Sequence, residues 1–127
     1  MKQKEKQLLL IDLCARLSYG VLFMVPDINE PVELLSINPK RDKPLEIDDG
    51  HDENSSTYWN LEDVTPYLRP MASMTEEEKR EYEPFFNYDG VEYPEDYIDW
   101  LNKHQFDYRG LIPMGLALPA TEGMYNN

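Results

Sequence analysis

The chain has one cysteine, two histidines, twelve basic residues and no long apolar run, and each shortage removes a class of protein. A lone Cys14 can form neither an intramolecular disulfide nor a cysteine-based zinc site, which excludes stapled secreted scaffolds and zinc fingers together. Twelve Lys and Arg against twenty-five Asp and Glu give a net charge of −13. That charge repels phosphate backbones and anionic lipid, so neither direct nucleic-acid binding nor membrane binding is expected. Leu8 to Ile11 follows a basic start, but Asp12 cuts the apolar run far short of an export signal. Nothing approaches the roughly 20 apolar residues needed to cross a bilayer. There is no glycine-rich phosphate loop, no GxSxG elbow and no HExxH motif, which closes the commonest short-motif routes to nucleotide enzymes and hydrolases. The expectation is a cytoplasmic protein without a cofactor. Its 127 residues, 41% of them hydrophobic, suffice for one domain, residues 1–127, with an ordinary core.

What is present reads as an α+β chain. Leu10, Leu13, Cys14 and Leu17 follow i, i+3, i+4, i+7 spacing and predict a helix from about Lys4 to Leu17, with Cys14 as a small core residue and Arg16 off the apolar face. Gly20 ends that pattern. Val21 to Val25 and Pro31 to Ile37 are β-prone runs bounded by turn residues, and Leu45 and Ile47 share one face of a third strand. Asp48 to Ser56 is a polar loop, and Thr57 to Val64 suits a further short strand before Pro66. Thr75-Glu-Glu-Glu78 is a capping box opening a helix to about Glu83, where Pro84 stops it. Pro94 fits the first position of another helix, whose Tyr97, Trp100, Leu101 and His104 form one inward stripe. From Arg109 the uncharged chain carries too many Gly and Pro for a helix and should pack as an extended tail. Strands joined by short polar loops imply a small antiparallel curled sheet or partly open barrel.

Charge and aromatics concentrate in the middle. Residues 46–107 hold eighteen acidic and four basic groups, while the flanking segments are nearly neutral. Nine of the fifteen aromatics lie between Tyr82 and Tyr108, where some rings must fill the interior and others suit an interface. The candidate binding residues are Tyr88, Glu92, Tyr93, Glu95, Asp96 and Tyr97. Neither His51 nor His104 has a setting that suggests catalysis, and no catalytic residue is assigned. Asp48-Asp-Gly-His-Asp-Glu53 gathers hard oxygen ligands, but EF-hand spacing fails: with Gly50 at the sixth loop position, Leu45 stands where the first aspartate is required. A hydrated hairpin turn is the favoured reading of this loop. A small metal-assisted enzyme built on it is the alternative.

Tyr67-Leu-Arg-Pro-Met-Ala-Ser-Met-Thr-Glu-Glu-Glu78, Asp99-Trp-Leu-Asn-Lys-His104, Phe106-Asp-Tyr-Arg-Gly-Leu-Ile-Pro-Met-Gly-Leu-Ala-Leu118 and Glu122-Gly-Met-Tyr-Asn126 occur together in the second half of the chain. With Asp12-Leu-Cys-Ala-Arg-Leu17 and Tyr19-Gly-Val21, this wording resembles a family of small proteins met repeatedly in gut anaerobe genomes, including phage and other mobile elements. The resemblance carries no activity and no catalytic residues, and implies a small intracellular accessory protein. Residues and resemblance together point to a non-enzymatic protein-binding module that engages a basic partner protein through an acidic, aromatic face, with a structural subunit as a further alternative.

Overall fold

The computed structural model describes residues 1–51, 54–87, 90–91 and 94–125. Helix α1 runs over Gln3–Arg16, close to the predicted span, but it buries a different face. Leu9, Asp12, Leu13 and Arg16 are buried, Leu10 and Leu17 are half-buried, and Cys14 is exposed. Both the predicted stripe and the observed one obey i, i+3, i+4, i+7 spacing and share Leu13, so they differ by a turn of one residue, about 100°. The expected core position of Cys14 and the expected outward Arg16 are both corrected by this turn. The physical reason is that Asp12 and Arg16, four residues apart on a helix, face and neutralise one another and so can enter the interior as a pair.

Strands β1 (Leu22–Met24), β2 (Val32–Ile37), β3 (Leu45–Asp48) and β4 (Ser56–Trp59) arise where β-prone runs alternate with turn residues. Burial alternates along β2 and β3, with Val32, Leu34, Leu45 and Ile47 inside. Gly20, at φ 81°, turns the chain from α1 into β1; a Cβ there would stand 2.7 Å from the Glu33 Oε1 atom. Strand β5 (Thr65–Leu68) starts one residue before Pro66 and runs through it, so this proline is not the boundary expected of it. Pro66 lies opposite Phe23 of β1, and Leu22 would meet Tyr67 at the next rung. That rung is closed by a side chain instead. The Tyr125 hydroxyl accepts from the Leu22 amide at 2.8 Å and donates to the Tyr67 carbonyl at 2.6 Å. Burial raises the Tyr125 pKa, so the phenol stays protonated.

Helix α2 covers Glu76–Tyr82, and the short strands β6 (Phe86–Asn87) and β7 (Gly90–Val91) pair with each other. Helix α3 covers Pro94–Lys103, and β8 is Leu118–Pro119. The main sheet has the order β4-β3-β2-β1-β5-β8 and is not closed. Its first four pairings are antiparallel, but β8 lies parallel to β5, so the expected antiparallel sheet is mixed at one edge. Only those two residues of the apolar tail are strand. Between Leu111 and Gly115 the chain turns, with the Asp107 carboxylate accepting from the Leu111 and Ile112 amides at 2.8 and 2.9 Å. The extended tail that was expected is therefore mostly turn, because Gly110 and Gly115 take positive φ. The whole is an α+β fold.

Two apolar clusters result. The larger joins Leu9 and Leu13 of α1 to Phe23, Leu34, Ile47 and Leu68 of the sheet and to Leu111 of the tail. The smaller has Met74, Leu101 and Phe106 at its centre, with Tyr82, Tyr97, Trp100 and Tyr108 against them. A polar joint links them. Arg16 donates from Nε to Asp12 Oδ2 at 2.8 Å and from Nη2 to Asp12 Oδ1 at 3.1 Å, and its Nη2 also donates to the Phe106 carbonyl at 2.6 Å. Arg109 Nε donates to the same Asp12 at 3.1 Å, so one carboxylate serves two guanidinium groups. Both guanidinium carbons lie near the Tyr108 ring, at 5.3 and 5.0 Å.

Removing half of a buried pair leaves a charge without water or partner. Asp12→Ala should therefore lower unfolding free energy by about 3–5 kcal/mol in urea titrations, and a loss under about 1 kcal/mol would show that the pair is dispensable. The capping box makes a smaller, separate claim. Thr75 Oγ1 accepts from the Glu78 amide at 3.2 Å, and Glu78 accepts from the Thr75 amide at 2.9 Å. Thr75→Ala should cost about 1 kcal/mol by the same measurement.

Candidate functional site

Helix α3 presents two working faces. Tyr97, Trp100 and Leu101 turn inward with His104 just beyond the helix end, the stripe that the spacing predicts. Tyr97 is half-buried, with its ring centroid 6.1 Å from Tyr82 and 6.3 Å from Phe85. Trp100 stacks on Phe106 at 5.7 Å and lies 4.4 Å from His104. These rings form the joint between α2 and α3, so a core role accounts for this part of the aromatic cluster. Of the six candidate binding residues, Glu95 and Asp96 are exposed on the first turn of α3, and Tyr97 packs on the opposite side from the Glu95 groove described below. Tyr88, Glu92 and Tyr93 lie outside the described residues.

The second face of α3 was not legible as a unit. Glu95, Ile98, Asp99 and Asn102 recur at i, i+3, i+4, i+7 and, with Pro94 and Ala15 of α1, line an open groove of about 570 Å³. Ile98 is 37% exposed, and Ile11, one turn before Ala15, is 57% exposed. The Tyr19 hydroxyl donates to Asp99 at 2.6 Å across the end of this groove, and that bond raises the Tyr19 pKa. The signal existed in the residue spacing, but an apolar stripe reduced to one isoleucine is faint beside the aromatic one.

A deeper cleft of about 770 Å³ lies between α2 and residues 120–125, lined by Arg69, Thr75, Glu78, Glu81, His104 and Tyr125 among others. Arg69 and Glu78 pair within its polar lining, whereas the buried His104 Nδ1 has no hydrogen-bond partner among the described residues. Arg69 holds Glu78 through two contacts of 2.6 Å while its guanidinium carbon sits 4.2 Å from the Phe106 ring centre. The pairing with Arg69, chiefly through the hydrogen bond, pulls the Glu78 pKa down to about 2 despite burial. His104 Nδ1 is 3.7 Å from Glu78, and Nε2 is 3.9 Å from Glu81. Burial nonetheless pushes the His104 pKa below its ordinary 6.5, outweighing the pull of the two carboxylates. This histidine is kept neutral, its ring tilted against that of Trp100.

The loop after β3 closes the β3–β4 hairpin, in which Asp48 pairs with Ser56. Asp48 and Asp49 accept from the Gly50 and His51 amides at 2.8 and 2.9 Å, and Asp52 and Glu53 lie outside the described residues. Among the described residues no three His, Cys, Asp or Glu side chains gather closely enough to hold a metal ion, and no helix is long and apolar enough to cross a membrane. Compared with protein-family models, curated proteins and solved structures, the chain matches none.

Glu78 and His104 both bind protons more weakly in the folded chain than in the unfolded one, so stability must fall with acid. The His104 contribution is complete above pH 6.5 and is lost as pH drops through its lowered folded value; the Glu78 contribution is complete above 4.5 and is lost toward about 2. The melting temperature should thus decline in two steps on acidification, with His104→Gln removing the upper step and Glu78→Gln shrinking the lower one, to which Glu46 and Glu62 also contribute. A melting temperature unchanged between pH 7 and 3 would contradict both assignments.

Proposed function

We propose that the protein is a non-enzymatic binding module that engages a basic surface of a partner protein. The observation that carries this reading is the exposure of acids on two helices braced by one aromatic cluster. Glu76, Glu77 and Glu81 of α2, Glu83 after it, and Glu95, Asp96 and Asp99 of α3 all face solvent. Lys79, Arg80 and Lys103 are the only cations on these helices. Tyr82 contacts both Tyr97 and Trp100, which fixes the two acid-bearing helices to each other. Such preorganised like charge is costly to hold together and is best relieved by a cationic counterpart. In this reading Glu92, Glu95 and Asp96 steer the partner, and Tyr88 and Tyr93 supply contact area, while Tyr97 supports the helix from within. An accessory role for a mobile element accords with the resemblance of its second half.

The test is capture from a host-cell lysate by the immobilised protein, with identification by mass spectrometry and kinetics on the recovered partner. The partner should be basic and should elute by roughly 0.5 M salt, where screening acts within a few ångströms. Glu95→Gln with Asp96→Asn should slow association about tenfold and leave dissociation little changed. Retention that ignores both salt and these substitutions would overturn the proposal.

A further inference from the structure

The groove between α1 and α3 gives the partner a more definite chemistry. Its floor is apolar: Ala15, Pro94 and Ile98 line it, and Ile11 extends the α1 side by one turn. Its rim is acidic. Glu95 and Asp99 stand one turn apart on α3 at either side of Ile98, and Glu95 has no partner among the described residues. Asn102 at the far end is buried, its Oδ1 accepting from the Tyr108 hydroxyl at 2.9 Å. Lys103 is the single cation of α3 and does not line the groove.

We propose that this groove receives a cationic amphipathic helix of the partner protein, with one apolar side chain seated on Ile98 and Ala15 and flanking Lys or Arg residues paired with Glu95 and Asp99. The inference rests on the binding-module reading above and narrows it. Three arguments select this occupant. An exposed isoleucine beside a half-buried alanine favours an apolar anchor, since burying one removes unfavourable hydration on both sides. Carboxylates at the groove edge favour a cation next to that anchor, and an anionic lipid surface would be repelled by the same groups. A second copy of this chain would bring another −13 to the interface, which disfavours self-association here. The Tyr19 hydrogen bond also links Asp99 of α3 to the turn that follows α1.

The experiment uses the full chain labelled with nitrogen-15 and a model helical peptide of lysines with leucines on one face, added at physiological salt. A control peptide has every leucine replaced by serine and the same charge. The leucine peptide should bind saturably, with the largest amide shift changes at residues 11–15 and 94–102. The serine peptide should bind at least about tenfold more weakly, the affinity expected of one lost buried anchor. Ile98→Asp should abolish leucine-peptide binding, and Glu95→Gln, a change at an exposed position that leaves the fold untouched, should weaken it severalfold. Shifts centred on residues 76–83, or equal binding of both peptides, would overturn the groove while leaving an acidic binding module standing. Concentration-dependent dimerisation lost in Ile98→Asp would overturn the proposed occupant in favour of a second copy. Binding of neither peptide even at low salt would overturn the groove and the binding-module reading together.

Discussion

The buried Asp12 carboxylate is the point through which the two halves of the molecule are joined. It lies on the first helix, yet it accepts from Arg16 on that helix and from Arg109 near the other end of the chain. Arg16 in turn reaches the Phe106 carbonyl, in the residue at the centre of the second apolar cluster. Desolvating the Asp12 and Arg16 charges costs several kcal/mol each, and Arg16 Nε and Nη2 recover it through Asp12 and the Phe106 carbonyl while its Nη1 is left without a hydrogen bond among the described residues. Replacing such a network by hydrocarbon is often neutral in stability. What a carboxylate with two guanidinium partners provides is register, since each hydrogen bond fixes a distance and an angle that apolar packing would leave free.

The same economy governs the second polar centre. Arg69 pairs with Glu78, and the Glu78 carboxylate also completes the helix cap, so a single side chain fixes the start of α2 and its docking onto the end of β5. The Arg69 backbone exchanges hydrogen bonds with Gln105 and Asp107 at 2.8 Å, which brings the end of α3 to the sheet edge. The acidic helices are thus carried on a rigid support. Binding by charge gains from such support, because side chains already aligned need less ordering when a partner arrives.

Local signals in the sequence were sufficient for most of the elements. The Thr75 cap, Pro94 at the start of α3, the inward stripe from Tyr97 to His104 and the shared face of Leu45 and Ile47 all depend on neighbours a few residues away, and the fold contains each of them. The errors arose where distant residues decide. Hydropathy ranks Cys14 above Asp12 and Arg16, and the local Asp12–Arg16 pair enters the interior with the added support of the Phe106 carbonyl and of Arg109, 97 positions from Asp12. Pro66 looked like a boundary because proline cannot donate to a sheet ladder. Pro66 nonetheless sits within β5, and the adjoining rung is bridged by Tyr125, which no local pattern could reveal. Glu95 and Asp96 were legible as exposed acids from the first-turn preference for negative charge, whereas the groove needed the position of α1 beside α3. The segments quoted for the resemblance include Asp12, Arg16, Arg69, Glu78, Asp107 and Arg109. Those polar residues are occupied in holding the structure together.

The Tyr125 hydroxyl, seated between Leu22 and Tyr67, has a consequence for how the chain is made. Its partners lie 103 and 58 positions earlier, and β8 must run alongside β5 before the sheet has its last strand. During vectorial synthesis the first helix and first strands emerge long before these residues exist. Until Phe106, Arg109 and Tyr125 leave the ribosome, Arg16 has only Asp12 for company and the rung between β1 and β5 stands open to water. Closure of the fold on the ribosome must therefore wait until the chain has emerged through Tyr125, and high-contact-order closure of this kind is slow. A nascent chain stalled before Phe106 would expose the apolar side of α1 and an incomplete sheet edge, the form of this protein most in need of a chaperone.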